Sequence, residues 1–194
     1  MKKYWTAIIT CCLIASVSSG CQDQEKDFKP STNVVSEMAK AAAEGEYADG
    51  VAIGERYLRD NPEDTNVLQQ TAILTLAQAR QERDSREMLV SRAVLLVERA
   101  IKSSSARKDS MNRFADGLIA AHAFESAGDL SSDKCLYYKR ASTLNDEAAK
   151  ALTAERLKTG DGKEVSTKPL KEQSRKLQSE LNQRMSDSSC GIAL

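Results

Sequence analysis

The side chains of this 194-residue sequence that could do chemistry are one histidine, His122, and five cysteines. An imidazole can act as a general acid or base, and a thiol can act as a nucleophile, bind a metal, accept a lipid or form a disulfide. His122 lies between alanines, and the sequence contains no HExxH motif, no CxxC motif and no glycine-rich phosphate loop. Metal clusters and catalytic triads need several such groups at suitable spacing. We therefore predict no catalytic residue, no metal site and a helix-surface position for His122, so the protein is not expected to be an enzyme.

Cys21 ends an N-terminal segment that is typical of a secretory signal peptide. A short basic stretch, MKK, precedes an apolar run over residues 4–17, and the sequence SSGC follows at 18–21. The run is too short for a membrane-spanning helix, which needs about 20 apolar residues. Small residues ending in Gly-Cys resemble the lipobox of bacterial lipoproteins, although Ser18 departs from the usual aliphatic residue. The resemblance implies that residues 1–20 are removed and that Cys21 carries a covalent lipid; an ordinary cleaved signal peptide is the alternative.

A lipid on Cys21 would anchor the chain to a membrane, because each buried methylene contributes about 0.8 kcal/mol. The resemblance implies a bacterial cell-envelope protein that faces the periplasm. Gln22 stands where an aspartate often marks inner-membrane retention in Gram-negative lipoproteins, so the outer membrane is favoured. Residues 21–31 are polar and contain one proline, which suits a tether. Apart from the covalent lipid we predict no cofactor.

Two further cysteines, Cys135 and Cys190, would lie in an oxidising compartment, where a disulfide is permitted. One pair in a chain of this size is not a disulfide framework. Cys135 falls in an apolar helical stretch and Cys190 in the tail 186–194. An unpaired state, with Cys135 as a buried and inert thiol, is favoured over a bridge.

The composition predicts a mostly helical protein. Helix-forming alanine, leucine, glutamate, lysine and arginine dominate, whereas aromatic residues make up 5% of the sequence and prolines number three. Lys2 and Lys3 are the only charged residues among the first twenty, so their removal lowers the formal net charge from zero to −2. No long basic block stands out, and we therefore expect no nucleic-acid partner.

Residues 32–158 contain a repeating pattern that begins with helices predicted at 33–44 and 47–59. Gly45 and Tyr47 mark the turn, Gly50 lies three residues beyond the tyrosine, and Pro62 lies twelve beyond that. These features resemble the tetratricopeptide repeat, a 34-residue helix–turn–helix unit, although Gly50 replaces the usual alanine and Gly54 a commonly larger residue. Each glycine costs about 1 kcal/mol relative to alanine inside a helix. We interpret the pair as a flat surface on which the preceding alanine-rich helix packs closely.

Two more units follow. The second has helices predicted at 66–80 and 86–102, with Ala93 and Ala100 at the family's seven-residue spacing. The third has a helix at 111–127 with Ala121 and Phe124 in the small and aromatic positions, a turn at Gly128, and a helix at 131–143.

The resemblance implies an all-α fold, a right-handed α-solenoid of about three degenerate helix–turn–helix repeats with capping helices at its C-terminal side. A helix at 146–158 would cap the array, because terminal helices with a polar outer face are expected in such stacks. A loop at 159–168 and a helix at 169–185 follow, and we expect this last helix to lie on the array rather than form a coiled-coil contact. A generic helical bundle is the alternative to the solenoid.

First helices of successive repeats line a groove in that family, and this implies a set of partner-binding residues. They are Asn66, Gln69, Ile73 and Leu76 in the second unit and Leu118, His122 and Glu125 in the third. Amides, a carboxylate and apolar groups suit an extended peptide or a partner helix. The implied function is a lipid-anchored envelope adaptor or scaffold that binds a protein or peptide partner, in the assembly of an envelope complex such as a pilus or secretion machine. The alternatives are a structural spacer without a groove partner and a non-catalytic subunit of an envelope-polymer enzyme.

Overall fold

The computed structural model describes residues 25–105, 109–158 and 163–190. The predicted signal peptide 1–20 and the lipid-accepting Cys21 lie outside the described residues. About 80% of the structure is helical. The elements in the described ranges are α1 (Glu25–Glu44), α2 (Tyr47–Asp60), α3 (Thr65–Gln81), α4 (Arg86–Ser104), α5 (Ser110–Leu130), α6 (Lys134–Lys150), β1 (Arg156–Lys158), β2 (Glu164–Ser166) and α7 (Lys168–Asp187).

The helices form a stacked array in sequence order. Each helix packs against the next, and in addition α1 packs on α3 and α3 on α5. Short links reverse the chain between consecutive helices from α1 to α6, so α1, α3 and α5 run parallel in one layer. A longer connection, which contains β1 and β2, leads from α6 to α7. The other layer is joined by ion pairs, Arg92 with Glu55 between α4 and α2 and Arg140 with Glu98 between α6 and α4. The predicted all-α, solenoid-like fold is confirmed.

Small and aliphatic side chains fill the space between the layers. Ala93 and Ala100 of α4 and Ala121 and Phe124 of α5, which the sequence predicted as structural positions, are all buried. The small residues let the helices approach closely, while Phe124 fills the space beside Tyr137 with ring centroids 6.2 Å apart.

Gly45 ends α1 in the left-handed conformation, with φ of +81°. The amide of Gly45 donates to the carbonyl of Ala42 and the amide of Glu46 to that of Ala41, the pair of bonds of a Schellman motif. The chain turns at once into α2, which begins at Tyr47 and ends at Asp60, just before Pro62. The predicted turn and helix end therefore have local causes.

Gly50 and Gly54 are buried where α2 meets α1 and α3. A Cβ on Gly50 would lie 2.6 Å from Leu74 Cδ1 and 3.6 Å from Ala41 Cβ. A Cβ on Gly54 would overlap the Thr71 hydroxyl and lie 2.8 Å from Met38 Cε. The glycines thus form a packing surface. The residues of α1 that contact this surface are Met38 and Ala41.

Gly128 does not form the predicted turn. Helix α5 continues through it to Leu130, and the chain turns at residues 131–133 instead. A Cβ on Gly128 would overlap the ring of Tyr138. The glycine is needed because α6 approaches α5 closely here, which makes it a packing position between helices.

The predicted break after residue 143 and the predicted capping helix at 146–158 are wrong. Helix α6 runs unbroken to Lys150, and residues 156–158 form β1, which pairs antiparallel with β2. Asn145 does not end a helix, because its buried side chain bonds to α7: its amide donates to the Ser174 carbonyl at 3.0 Å and to Gln178 Oε1 at 3.0 Å. The predicted loop at 159–168 accordingly contains a strand and the first residue of α7.

Helix α1 begins earlier than predicted. It starts at Glu25 rather than residue 33, so much of the predicted tether 21–31 is helical.

Helix α7 lies on the array as predicted and buries Leu177 and Leu181. It runs antiparallel to α6, so its C-terminal end meets the start of α6. Ser189 follows α7 with φ of 52°, and the amide of Cys190 donates to the carbonyl of Met185. Cys190 forms a disulfide with Cys135, so the prediction of unpaired cysteines is wrong. It failed because it treated the tail as separate from the array.

Candidate partner-binding face and its charged end

The seven predicted groove residues fall into two groups. Gln69, Leu76, Leu118 and Glu125 are buried, whereas Asn66, Ile73 and His122 are partly exposed. The structure therefore does not place the first four at an open surface. Gln69 illustrates the reason: its amide donates to buried Asp116 of α5 at 3.1 Å, so α5 covers the side of α3 that was expected to face a partner.

The partly exposed members lie on one face of adjacent, parallel helices. On α3, Asn66, Gln70 and Ile73 recur at the i, i+4, i+7 spacing of one helix face, and on α5 Ile119 and His122 are likewise partly exposed. We call these five residues the α3–α5 face. Gln70 and Ile119 were missed by the sequence analysis, although the same helical spacing could have identified Gln70. The face offers two amides, two isoleucines and an imidazole.

At one end of the α3–α5 face the side chains are charged and mutually paired. We define the charged cluster as Arg80 of α3, His122, Glu125 and Asp129 of α5, Tyr138 of α6 and Arg184 of α7. Glu125 contacts His122 Nδ1 at 3.1 Å and Arg184 Nε at 2.9 Å. Arg184 also pairs with Asp129, which accepts a bond from the Tyr138 hydroxyl at 2.8 Å. Arg80 donates to the hydroxyl of Ser126 at 3.3 Å. The cluster joins the C-terminal ends of α3, α5 and α7.

Burial and pairing change the proton affinities in the charged cluster. Burial alone would raise the pKa of Glu125, but the hydrogen bond and charge of His122 and the charge of Arg184 outweigh it, and the pKa is lowered. Burial lowers the pKa of Arg80, while Asp129 and Glu125 oppose that shift. Burial, followed by the bond to Asp129, raises the pKa of Tyr138 to about 12. At neutral pH the carboxyl group of Glu125 is therefore charged and the phenol of Tyr138 is neutral.

The arrangement is suited to holding helices together and to presenting polar groups. His122 is bound to Glu125, and Cys135 and Cys190 are bridged. Among the described residues no group of three or more potential metal ligands occurs. None of the helices in the described ranges combines the length and the hydropathy that a membrane span requires.

Compared with known proteins, the chain matches no family model, no curated protein and no solved structure.

Proposed function

We propose that this protein is a lipid-anchored adaptor of the bacterial cell envelope, related to tetratricopeptide-repeat proteins, that binds an extended peptide or a partner helix on its α3–α5 face. Residues 1–21 motivate the anchor, through their signal-peptide pattern and Gly20-Cys21. The observation that carries the proposal is the α3–α5 face, which leaves Ile73 and His122 partly exposed on parallel helices of a solenoid-like array.

The chemistry of the face suits a peptide. Asn66 and Gln70 can each donate to and accept from a peptide backbone, and Ile73 and Ile119 offer apolar contact. Peptides bind such surfaces by main-chain hydrogen bonds combined with small side-chain pockets.

The disulfide supports the proposed location. Bridges persist in the periplasm and are rare in a reducing cytosol, and Cys135 and Cys190 are bridged. This argument is independent of the N-terminal sequence. Gln22 continues to favour the outer membrane.

Site-specific photocrosslinking in living cells tests the proposal. A photoreactive residue at position 73 or 122 is expected to give one adduct of defined mass. The same residue at Lys139, which is exposed on the other layer, is the matched control and should give none. Identical adducts at all three positions, or none at any, would contradict a partner on this face.

A structural spacer without a partner is the second candidate. The polar outer side of α7 favours the spacer, because no further helix stacks on that side and the array ends there. In the same experiment a spacer would give no adduct at position 73 or 122, while its fractionation with membranes would be unchanged.

A further inference from the structure

We infer that two copies of this chain associate through the outer side of the layer formed by α2, α4 and α6, with their α4 helices antiparallel across a two-fold axis. The inference goes beyond the proposed function and depends on neither the lipid nor the α3–α5 face. Three observations carry it: an exposed apolar patch, the pairing of the charges beside that patch, and the distribution of charge along α4.

The first observation is an apolar patch on α4 and α6. Met88 and Leu95 of α4 are each 67% exposed, and Leu136 of α6 is 64% exposed. Met88 and Leu95 are seven residues apart, which places them on the same side of the helix. We call these three residues the outer apolar patch. Contiguous exposed apolar surface marks interaction sites on soluble domains.

Contacts between α4 and α6 place Leu136 beside Leu95. At the start of the two helices, the carboxylate of Glu87 accepts two bonds from the link that precedes α6. Further along, Arg140 donates to Glu98 at 3.1 Å. The two helices therefore run parallel and level with each other. Leu136 lies one turn before Arg140, and Leu95 lies nearly one turn before Glu98, so the two leucines are at the same height.

The second observation is that the charged groups beside the outer apolar patch are paired within the chain. Arg92 contacts Glu55 of α2, and Arg140 contacts Glu98. These pairs neutralise the centre of the outer side, so a second copy can cover it without burying an unpaired charge, which would be costly. Lys139 is turned about 100° from Arg140 around α6, away from α4, and lies outside the patch.

The third observation is that charge is distributed unevenly along α4. Residues 82–87, at its start, contain three acids and two arginines, whereas residues 99–104, at its end, contain two bases and no acid. Glu87 accepts bonds from uncharged groups, and Arg99 donates to the carbonyl of Pro62 at 2.7 Å, so both keep their charge. Helix α4 is thus negative at one end and positive at the other.

This polarity makes α4 complementary to a second copy of itself. An antiparallel pair places opposite charges together, whereas a parallel pair places like charges together. A two-fold axis that crosses α4 near Ala93 sets Glu87 opposite Arg99 of the second copy, because each lies six residues from Ala93. Asp84 is likewise opposite Lys102, nine residues from Ala93 on either side. The same register overlaps the outer apolar patches of the two copies, and two-fold pairs of this kind are the commonest oligomers.

The outer side is also large enough for a stable pair. Helix α4 has 19 residues and is about 28 Å long. With neighbouring helices about 9 Å apart, α2, α4 and α6 together cover about 750 Å². This area is close to the roughly 800 Å² that each partner contributes to a standard interface. The α3–α5 face belongs to the other layer and stays open, so a pair would present it twice.

Sedimentation velocity of the full chain, purified in mild detergent, tests the association. We expect a monomer–dimer equilibrium for the wild type that depends on concentration. Leu95→Asp should shift the protein to monomer, whereas Val165→Asp, on an exposed apolar residue of β2, is the matched control and should not. A wild type that is monomeric at every concentration, or a Leu95→Asp variant that dimerises as the wild type does, would overturn the inference.

Exchanging two exposed charges tests the antiparallel arrangement. Asp84→Lys or Lys102→Glu alone places like charges opposite each other and should raise the dissociation constant of the dimer about 3–10-fold, as expected for exposed ion pairs. Both substitutions in one chain restore opposite charges and should return the constant to near the wild-type value. A double variant that binds more weakly than either single variant would overturn the antiparallel arrangement.

Crosslinking in intact cells identifies the occupant. Ser91→Cys, at an exposed position near the axis, should give an adduct of twice the chain mass with a short bis-maleimide. Ser179→Cys, at an exposed position of α7, is the matched control and should give none. An adduct between Ser91→Cys and a different protein would overturn a second copy as the occupant. Equal yields of dimer at both positions would overturn this surface as the interface.

Discussion

Gly54 lies closer to its neighbours than Gly50 does, and the two should differ in their tolerance of a methyl group. The Thr71 hydroxyl, which a Cβ on Gly54 would overlap, is buried and donates to the Val67 carbonyl at 2.7 Å. On Gly50 the nearest atom is the end of the flexible Leu74 side chain.

We expect Gly54→Ala to destabilise the protein by about 1–3 kcal/mol, the usual cost of overpacking. Gly50→Ala, the matched control, should cost less because Leu74 can move and because alanine favours the helix. Gly50→Leu should cost as much as Gly54→Ala or more. Urea unfolding of the three variants measures these differences, and equal stability of both alanine variants would contradict the packing argument.

Glu125 should make the stability depend on pH in the acidic range. Its pKa is below the ordinary value of 4.5, so the folded state binds this proton more weakly than the unfolded state. The contribution is present above the ordinary pKa and is lost as the pH falls below it. Glu125→Gln should cost about 1.5–3 kcal/mol at neutral pH, typical of a hydrogen bond to a charged group.

Unfolding measurements on the wild type and on Glu125→Gln from neutral to acidic pH check this. The difference between the two should shrink as the pH falls below 4.5. A difference that stays constant over that range would show that the carboxylate charge contributes no pH-dependent stability. The same substitution at Glu37, an exposed residue of α1, is the control.

Polar bonds at Asn145 hold α7 against α6. Its Oδ1 accepts from the Ser174 hydroxyl at 3.0 Å, and Gln178, which bonds to Asn145, also donates to Ser142 at 2.7 Å. Asn145→Leu would leave buried Ser174 without its partner, which costs about 1–3 kcal/mol.

We expect Asn145→Leu to increase amide hydrogen exchange in α7 more than in α3. Gln183→Ala, which removes only an exposed bond to Asp187, is the matched control and should leave exchange in α7 near the wild-type rate. Uniform acceleration of exchange in all helices would contradict a local role.

The end of α1, the end of α2 and the start of α3 were predictable because they have local causes, whereas the start of α1 was not predicted correctly. Gly45 ends α1, Pro62 follows α2, and Asp64 caps α3 by accepting a bond from the amide of Val67 at 3.1 Å. The end of α6 was not predictable, because Asn145 looks like a helix terminator until α7 satisfies its side chain. The three-residue strands are also too short for their alternation to be recognised.

The candidate site was predictable only in part. The groove positions were taken from the tetratricopeptide repeat that the sequence resembles. Three of them, Asn66, Ile73 and His122, are partly exposed. The prediction failed at Gln69 and Glu125, because their bonds to α5 and α7 depend on how closely neighbouring helices approach. No local pattern encodes that distance.

The disulfide ties the last helix to the array across 55 residues. In the chain-entropy description, closing a loop of this size stabilises the folded state by about 4 kcal/mol. We expect Cys135→Ser with Cys190→Ser to lower the free energy of unfolding by about 2–4 kcal/mol. Unfolding of the wild type with and without reductant should reproduce the difference, and no change on reduction would contradict it.

The bridge has a further consequence for proteolysis. Every residue of β2 is exposed and lies within the loop that Cys135 and Cys190 close. A protease that cuts the chain there would produce two polypeptides that remain one molecule. The protein could thus be nicked and still carry α7, and the cut would become visible on an electrophoresis gel only after reduction.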